Sequence, residues 1–152
     1  MRVITGIARG RKLVTLEGEE VVRPTTDRVK EAMFSIIQFD IPGKSVLDLF
    51  AGSGQLGIEA LSRGAEKAVF VDKSAEAFSV VKQNLKTCGL SDKATVINSD
   101  SFGFLRSTAE KFDIILIDPP YNRQMAETAL SLVDGVLKDG GIVMLSLIHI
   151  SE

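Results

Sequence analysis

The chain has 152 residues, 45% of them hydrophobic and 25% charged, the balance of an ordinary soluble globular domain long enough to bury its own core. One cysteine, Cys88, excludes an internal disulfide and a thiolate cluster for zinc. No leader pattern and no apolar run of about 18 residues points to export or a membrane span, so a cytoplasmic location is expected. The net charge of −2 argues against a simple polyanion binder.

That charge is unevenly spread. Among the first thirty residues, Arg2, Arg9, Arg11, Lys12, Arg23, Arg28 and Lys30 outnumber Glu17, Glu19, Glu20 and Asp27. A basic arm on an acidic body suits a protein that meets phosphate at one end. Within the arm, MRVITGIARGRKLVTL reads as a β-hairpin broken by Gly10. RPTTDRVKEAMFSIIQF reads as an amphipathic helix with Val29, Met33, Ile36 and Ile37 on one face, capped by Thr26 or Asp27, with Pro24 ending it backward.

From Ser45 onward, apolar runs alternate with helical patterns. SVLDLF, KAVFVD, ATVINSD, FDIILIDPPY and GIVMLSLI are strand-like without clean alternation, as parallel strands covered on both faces should be. Between them lie QLGIEALSRG, SAEAFSVVKQNLKTCG, SFGFLRSTA and RQMAETALSLVDGVLK. The second carries Ser74 as N-cap and Gly89 as a C′ residue, with Cys88 expected buried near its end. Five strands with four helices predict a doubly wound, mostly parallel, Rossmann-like α/β sheet. The expected organisation is a single domain over 1–152, with a hairpin and helix over 1–43 and the α/β core over 44–152.

The first strand leads into Asp48-Leu49-Phe50-Ala51-Gly52-Ser53-Gly54-Gln55-Leu56-Gly57. Gly52, Gly54 and Gly57 satisfy the GxGxxG spacing, and Asp72 stands twenty positions beyond Gly52 at the end of the second strand, which fits a dinucleotide as well as another nucleoside cofactor. The two readings part at Asp48. A pyrophosphate disfavours a neighbouring carboxylate, whereas S-adenosylmethionine carries an ammonium and a sulfonium and no phosphate. Asp48 is then either a holder of that ammonium or a brace of the loop. Phe50 in the loop and Lys73 after Asp72 join the cofactor set. Asp100 and Ser101, closing the third strand, suit the adenine, with Phe102 as an apolar wall.

The deciding feature is Asp118-Pro119-Pro120-Tyr121, directly after FDIILI. Two prolines cannot continue a parallel strand, so the chain turns out at the carboxyl edge, where ligands bind in this architecture. The turn offers a carboxylate, the Pro119 carbonyl and a phenol ring. A base amine is a poor nucleophile because its lone pair is delocalised into the ring. Two acceptors for its two protons favour a pyramidal nitrogen, and Tyr121 offers a face on which a flipped base stacks. The expected reaction is methylation of an exocyclic amine of a nucleic-acid base, without a metal. A NAD-dependent oxidoreductase and a non-catalytic nucleotide-binding module are the rivals from other classes.

RPTTDRVKEAMF, LDLFAGSGQLGIEALSRGA and DPPY, in this order, resemble the RsmD family, bacterial enzymes that methylate the N2 of a guanine in small-subunit ribosomal RNA. The resemblance runs to about Met144. It implies a class I methyltransferase fold, S-adenosylmethionine as donor, and rRNA of the small ribosomal subunit or an assembly intermediate as partner. An adenine or cytosine amine in DNA or RNA is the alternative acceptor. The resemblance places Arg23, Thr25 and Arg28 near the methionine end of the cofactor, and makes Arg9, Arg11 and Lys12 a basic hairpin holding RNA phosphate. The family continues beyond its fifth strand into a further hairpin. Here GIVMLSLIHISE ends, so a truncated C-terminus is expected, and His149 receives no role.

Overall fold

Ser45–Asp48 (β1) is buried at all four positions, and a strand with no exposed face belongs at the centre of a sheet. In the computed structural model, which describes residues 1–16, 27–119 and 123–146, β1 lies between β2 (Lys67–Asp72) and β4 (Phe112–Ile117). Outside them lie β3 (Ala94–Asn98) and β5 (Leu137–Leu145), giving the order β3-β2-β1-β4-β5 with every pairing parallel. The strand order reverses between β1 and β4, so their carboxyl ends flank the crevice where such sheets bind ligands.

Alternate strand residues feed two cores. Val46, Phe70, Ile114 and Leu116 point to one face, which is covered by α1 (Asp27–Ile37), α2 (Gln55–Ser62) and α3 (Ala75–Cys88). Leu47, Val69, Val71, Ile115 and Ile117 point to the other, beneath α4 (Ser101–Ser107) and α5 (Arg123–Leu132). The expected doubly wound sheet is present. Ser74 caps α3 by accepting from Ala77 N, and Gly89 ends it at φ 70°. Gly57 brings α2 close to β2: a Cβ there would lie 2.4 Å from Cε2 of the Phe70 ring. Gly57→Ala is therefore expected to cost about 1–3 kcal/mol by overpacking, measured by urea denaturation; an unchanged midpoint would contradict this packing role.

Several elements differ from the sequence reading. The N-terminal hairpin reduces to one antiparallel bridge, Arg2↔Lys12, closed by Val3 N donating to Arg11 O and Gly10 N to Val3 O. On α1, Ile36 is 72% exposed, and Phe34 takes its place in the core beside Met33 and Ile37. Cys88 is only half-buried, and burial still pushes its thiol upward against the pull of Arg11 and Lys30. The last helix stops at Leu132 and gives way to a 3-10 turn over Val133–Val136.

The arm is fastened to α2 by buried polar groups. Glu59 accepts from Ile4 N at 2.8 Å and Thr5 N at 3.0 Å, pairs with Arg63 at 2.8 Å, and lies 3.5 Å from Lys30. Lys30 Nζ also donates to Arg2 O. Burial lowers the Lys30 pKa, and the Glu59 carboxylate pulls it back up. Ser62 Oγ accepts from Ala8 N and donates to Thr5 O. Further along, Asn84 of α3 accepts from Val14 N and donates to both Val14 O and Ser53 O, tying the arm to the glycine loop. Among the described residues no helix is long and apolar enough to cross a membrane.

Candidate functional site

The carboxyl edge of the sheet gathers Asp48 and Asp72 at strand ends and Asp100 and Asp118 just beyond them, because register sets Asp48 opposite Phe70 and Leu116, and Asp72 opposite Asn98. After β1 the chain turns back through Gly52 (φ 58°) and Gly54 (φ 84°), conformations that only glycine adopts without strain, and enters α2. Gly54 is the N-cap of α2, so the first-turn N–H groups of that helix open onto the loop.

Each acid has a defined place. Asp72 Oδ2 accepts from Gly52 N at 2.9 Å and Oδ1 from Ser74 N at 2.9 Å, which fixes the carboxylate at the rim of the loop. Asp48 is buried and its Oδ2 accepts from Gly57 N at 2.9 Å. This is the bracing bond that the sequence reading set beside an ammonium contact. Asp100 caps α4 by accepting from Gly103 N at 2.9 Å. Ser101 Oγ donates to Leu49 O and so locks the start of α4 onto the end of β1.

A cleft at this edge is lined by Phe50, Asp72, Lys73, Asp100, Ser101, Phe102 and Met125. Six of these were named from the sequence, Phe102 as an apolar wall and the other five as cofactor candidates. The Phe50 and Phe102 rings meet edge to face, with centroids 5.9 Å apart. Met125 was missed. It sits at helical spacing with Ala129 and Leu132, a pattern that reads as ordinary core and does not reveal that its first member borders a cleft.

Asp118 and Pro119 follow β4 and are buried, next to the β1 end through Leu49 N donating to Leu116 O. Pro120 and Tyr121, the rest of the expected catalytic turn, lie outside the described residues, as do Arg23 and Thr25. Arg28 is exposed in the first turn of α1 and does not line the cleft. Arg9, Arg11 and Lys12 are all exposed on the arm. Among the described residues no three His, Cys, Asp or Glu side chains gather as a metal site.

The residues present fit a nucleoside carrying a cationic amino-acid tail. The cleft offers an acid bonded to the rim of a glycine loop, aromatic walls, and a second acid just past the β3 end, while Asp48 sets negative charge under the loop where a pyrophosphate would be repelled.

The profile of the family described as "Conserved hypothetical protein 95" matches residues 1–148. "Ribosomal RNA small subunit methyltransferase D" of Haemophilus influenzae is 43% identical over 136 residues, covering 88% of this chain and 70% of that protein. The Escherichia coli (strain K12) protein of the same name is 37% identical over 145 residues, covering 94% and 72%. The solved structure of the Escherichia coli protein yhhF superposes with a TM-score of 0.79 at 37% identity, covering 94% of this chain and 75% of that one.

Proposed function

The chain belongs to the RsmD family of methyltransferases, and from that premise we propose that it transfers a methyl group from S-adenosylmethionine to the N2 amine of a guanine in small-subunit ribosomal RNA. The observation that carries this reading is the placement of Asp118 and Pro119 at the β4 end, beside the glycine loop at the point where the strand order reverses.

In this proposal Asp72 holds the ribose hydroxyls, Asp100 and Ser101 face the adenine, and Phe50 and Phe102 wall it. Lys73 and Met125 close the cleft rim. Gly52 and Gly54 let the backbone approach the cofactor closely, and Asp48 balances the charge of its ammonium. When bound, the cofactor supplies an electrophilic methyl on a sulfonium. Asp118 and the Pro119 carbonyl accept the two protons of the base amine and keep its lone pair out of ring conjugation. Burial of Asp118 at 3% exposure strengthens that contact, because water competes weakly there. As the new N–C bond forms, the bond from the methyl to sulfur would break, leaving S-adenosylhomocysteine as the neutral thioether, and Asp118 takes the proton that nitrogen releases. Pro120 fixes the turn, and Tyr121 stacks on the base, worth about 1–3 kcal/mol.

The test is incubation with cofactor labelled in its methyl group and small ribosomal subunits from a strain lacking the enzyme. Label in N2-methylguanine is expected; label confined to adenine or cytosine, or to no base, would overturn the assignment. Arg9, Arg11 and Lys12 are proposed to hold RNA phosphate from the exposed arm. Reversing Arg9 and Arg11 to glutamate should weaken RNA binding and lower the slope of log affinity against log salt by about 1–2. Affinity for S-adenosylhomocysteine should not change. An unaltered salt slope would remove the arm from the RNA interface.

A further inference from the structure

A second groove lies where α2 ends and the chain turns into β2, at the amino edge of the sheet and so opposite the cleft. Thr5, Gly6 and Ile7 of the arm form one wall, Gln38 after α1 the other, and Ser62 and Arg63 line the floor. The arm wall is fixed. Gly6 (φ 94°) is pressed so closely on α2 that a Cβ there would lie 1.8 Å from Ser62 O. Ile7 on that wall is 77% exposed, and Phe39, the residue after Gln38, is 90% exposed. An isolated apolar side chain on a surface needs no explanation, but an aromatic and an aliphatic one at the two sides of one groove mark an interaction site.

We infer that this groove takes an unpaired base of the substrate RNA, stacked on Phe39 and packed against Ile7, as a second nucleotide site away from the catalytic turn. The inference rests on the proposed function for the class of its ligand. Charge selects a nucleic acid. Residues 1–16 carry Arg2, Arg9, Arg11 and Lys12 and no acidic side chain. No acid lines the groove, and Arg63 on its floor is already paired with the buried Glu59. Arg9 belongs to the same turn as Ile7, its N donating to Gly6 O, and its side chain is exposed, as are those of Arg11 and Lys12. Single strands are held in this way, with rings stacking bases and cations taking phosphates. The course of the arm supplies the path. Ala8 N is bonded to Ser62 at the groove, and Val14 N to Asn84, which also donates to Ser53 O in the glycine loop. Arg9, Arg11 and Lys12 thus lie between the groove and the loop, and α2, 8 residues and about 12 Å long, sets the span. A strand that reaches the catalytic edge crosses the basic arm before a neighbouring base enters the groove.

The experiment compares the parent chain with Phe39→Leu, which stays apolar and loses the ring, and Phe39→Trp, which enlarges the ring. Fluorescence anisotropy would read binding of a labelled oligoadenylate and of a strand with the same sugar-phosphate backbone and no bases. Phe39→Leu should bind the oligoadenylate about 5- to 100-fold more weakly, the loss of one base stacked on a ring. It should bind the abasic strand as the parent does, with an unchanged salt slope, because no phosphate contact is lost. Phe39→Trp should bind both strands at least as tightly as the parent. Thermal midpoints and affinity for S-adenosylhomocysteine should stay parental in both variants, since the side chain is exposed. Oligoadenylate affinity unmoved by Phe39→Leu, or an equal loss on the abasic strand, would overturn the inference. So would a parent that binds neither strand or both equally. A variant weakened toward small ribosomal subunits alone would give the groove to a protein and overturn it too. Base-dependent binding that Phe39→Leu removes, in a chain that methylates no subunit, would support the groove and sink the proposed activity.

Discussion

Replacing Asp118 by alanine should lower the rate constant for methyl transfer by about 10²–10³-fold, the usual effect of deleting one preorganised polar contact to the reacting group. The dissociation constant of S-adenosylhomocysteine should change little. The separation follows from where Asp118 sits. It follows β4, while the groups proposed to hold the nucleoside line a cleft built mainly from the loop after β1 and the segments that follow β2 and β3. Losing the carboxylate leaves that cleft intact and removes one of two acceptors for the amine protons. Asp118→Asn should recover part of the binding geometry without the proton acceptor, and so remain slow. Single-turnover kinetics with saturating cofactor and calorimetry on the same preparations check both halves. A variant with parental turnover would place the chemistry elsewhere.

Glu59→Ala should destabilise the fold by about 3–5 kcal/mol, the range for removing one partner of a buried ion pair. One carboxylate here serves four donors: Lys30, Arg63 and the backbone N–H groups of Ile4 and Thr5. Removing it strands a fully buried lysine, already depressed by desolvation, with less opposing pull. It also orphans two amides of the arm. Guanidinium denaturation of parent and variant measures the difference; a loss below about 1 kcal/mol would contradict the network's role. Glu59 lies on the side of α2 that faces the arm, so the variant that remains folded should still bind S-adenosylhomocysteine.

The sequence was most legible where one residue pattern has one physical solution. Strands such as FDIILI, apolar over Ile114 to Ile117, fit a sheet covered on both faces, and the predicted parallel sheet is present, with its order β3-β2-β1-β4-β5 supplied by the structure. GxGxxG is legible because positive φ at Gly52 and Gly54 and close packing at Gly57 admit no side chain. Ser74 and Gly89 announced the ends of α3 by the same local logic.

Legibility failed where the outcome depends on a partner far along the chain. Periodicity placed Ile36 on the buried stripe of α1 with Val29, Met33 and Ile37. Phe34 won over Ile36 because it meets the Arg63 guanidinium, 5.0 Å from the ring centroid, across the α1–α2 packing. Lys30, Glu59 and Asn84 look like surface residues in sequence and are buried because each satisfies backbone groups of the arm, Glu59 and Asn84 from more than fifty positions away. The hairpin was overread because alternation in MRVITGIARGRKL resembles strand pairing. The amides of Ile4, Thr5, Ile7 and Ala8 turn instead to Glu59 and Ser62. In the site, Asp48 and Asp100 were each compatible with a ligand role and a bracing role, and their bonds to Gly57 N and Gly103 N show that bracing is one of their duties.

The most direct measurement is a crystal structure of the chain with S-adenosylhomocysteine bound. It should place the ribose hydroxyls on Asp72, and turn the sulfur toward the oxygens of Asp118 and Pro119. A sulfur directed away from the end of β4, or a nucleoside bound outside the cleft of Phe50, Asp72 and Asp100, would contradict the account.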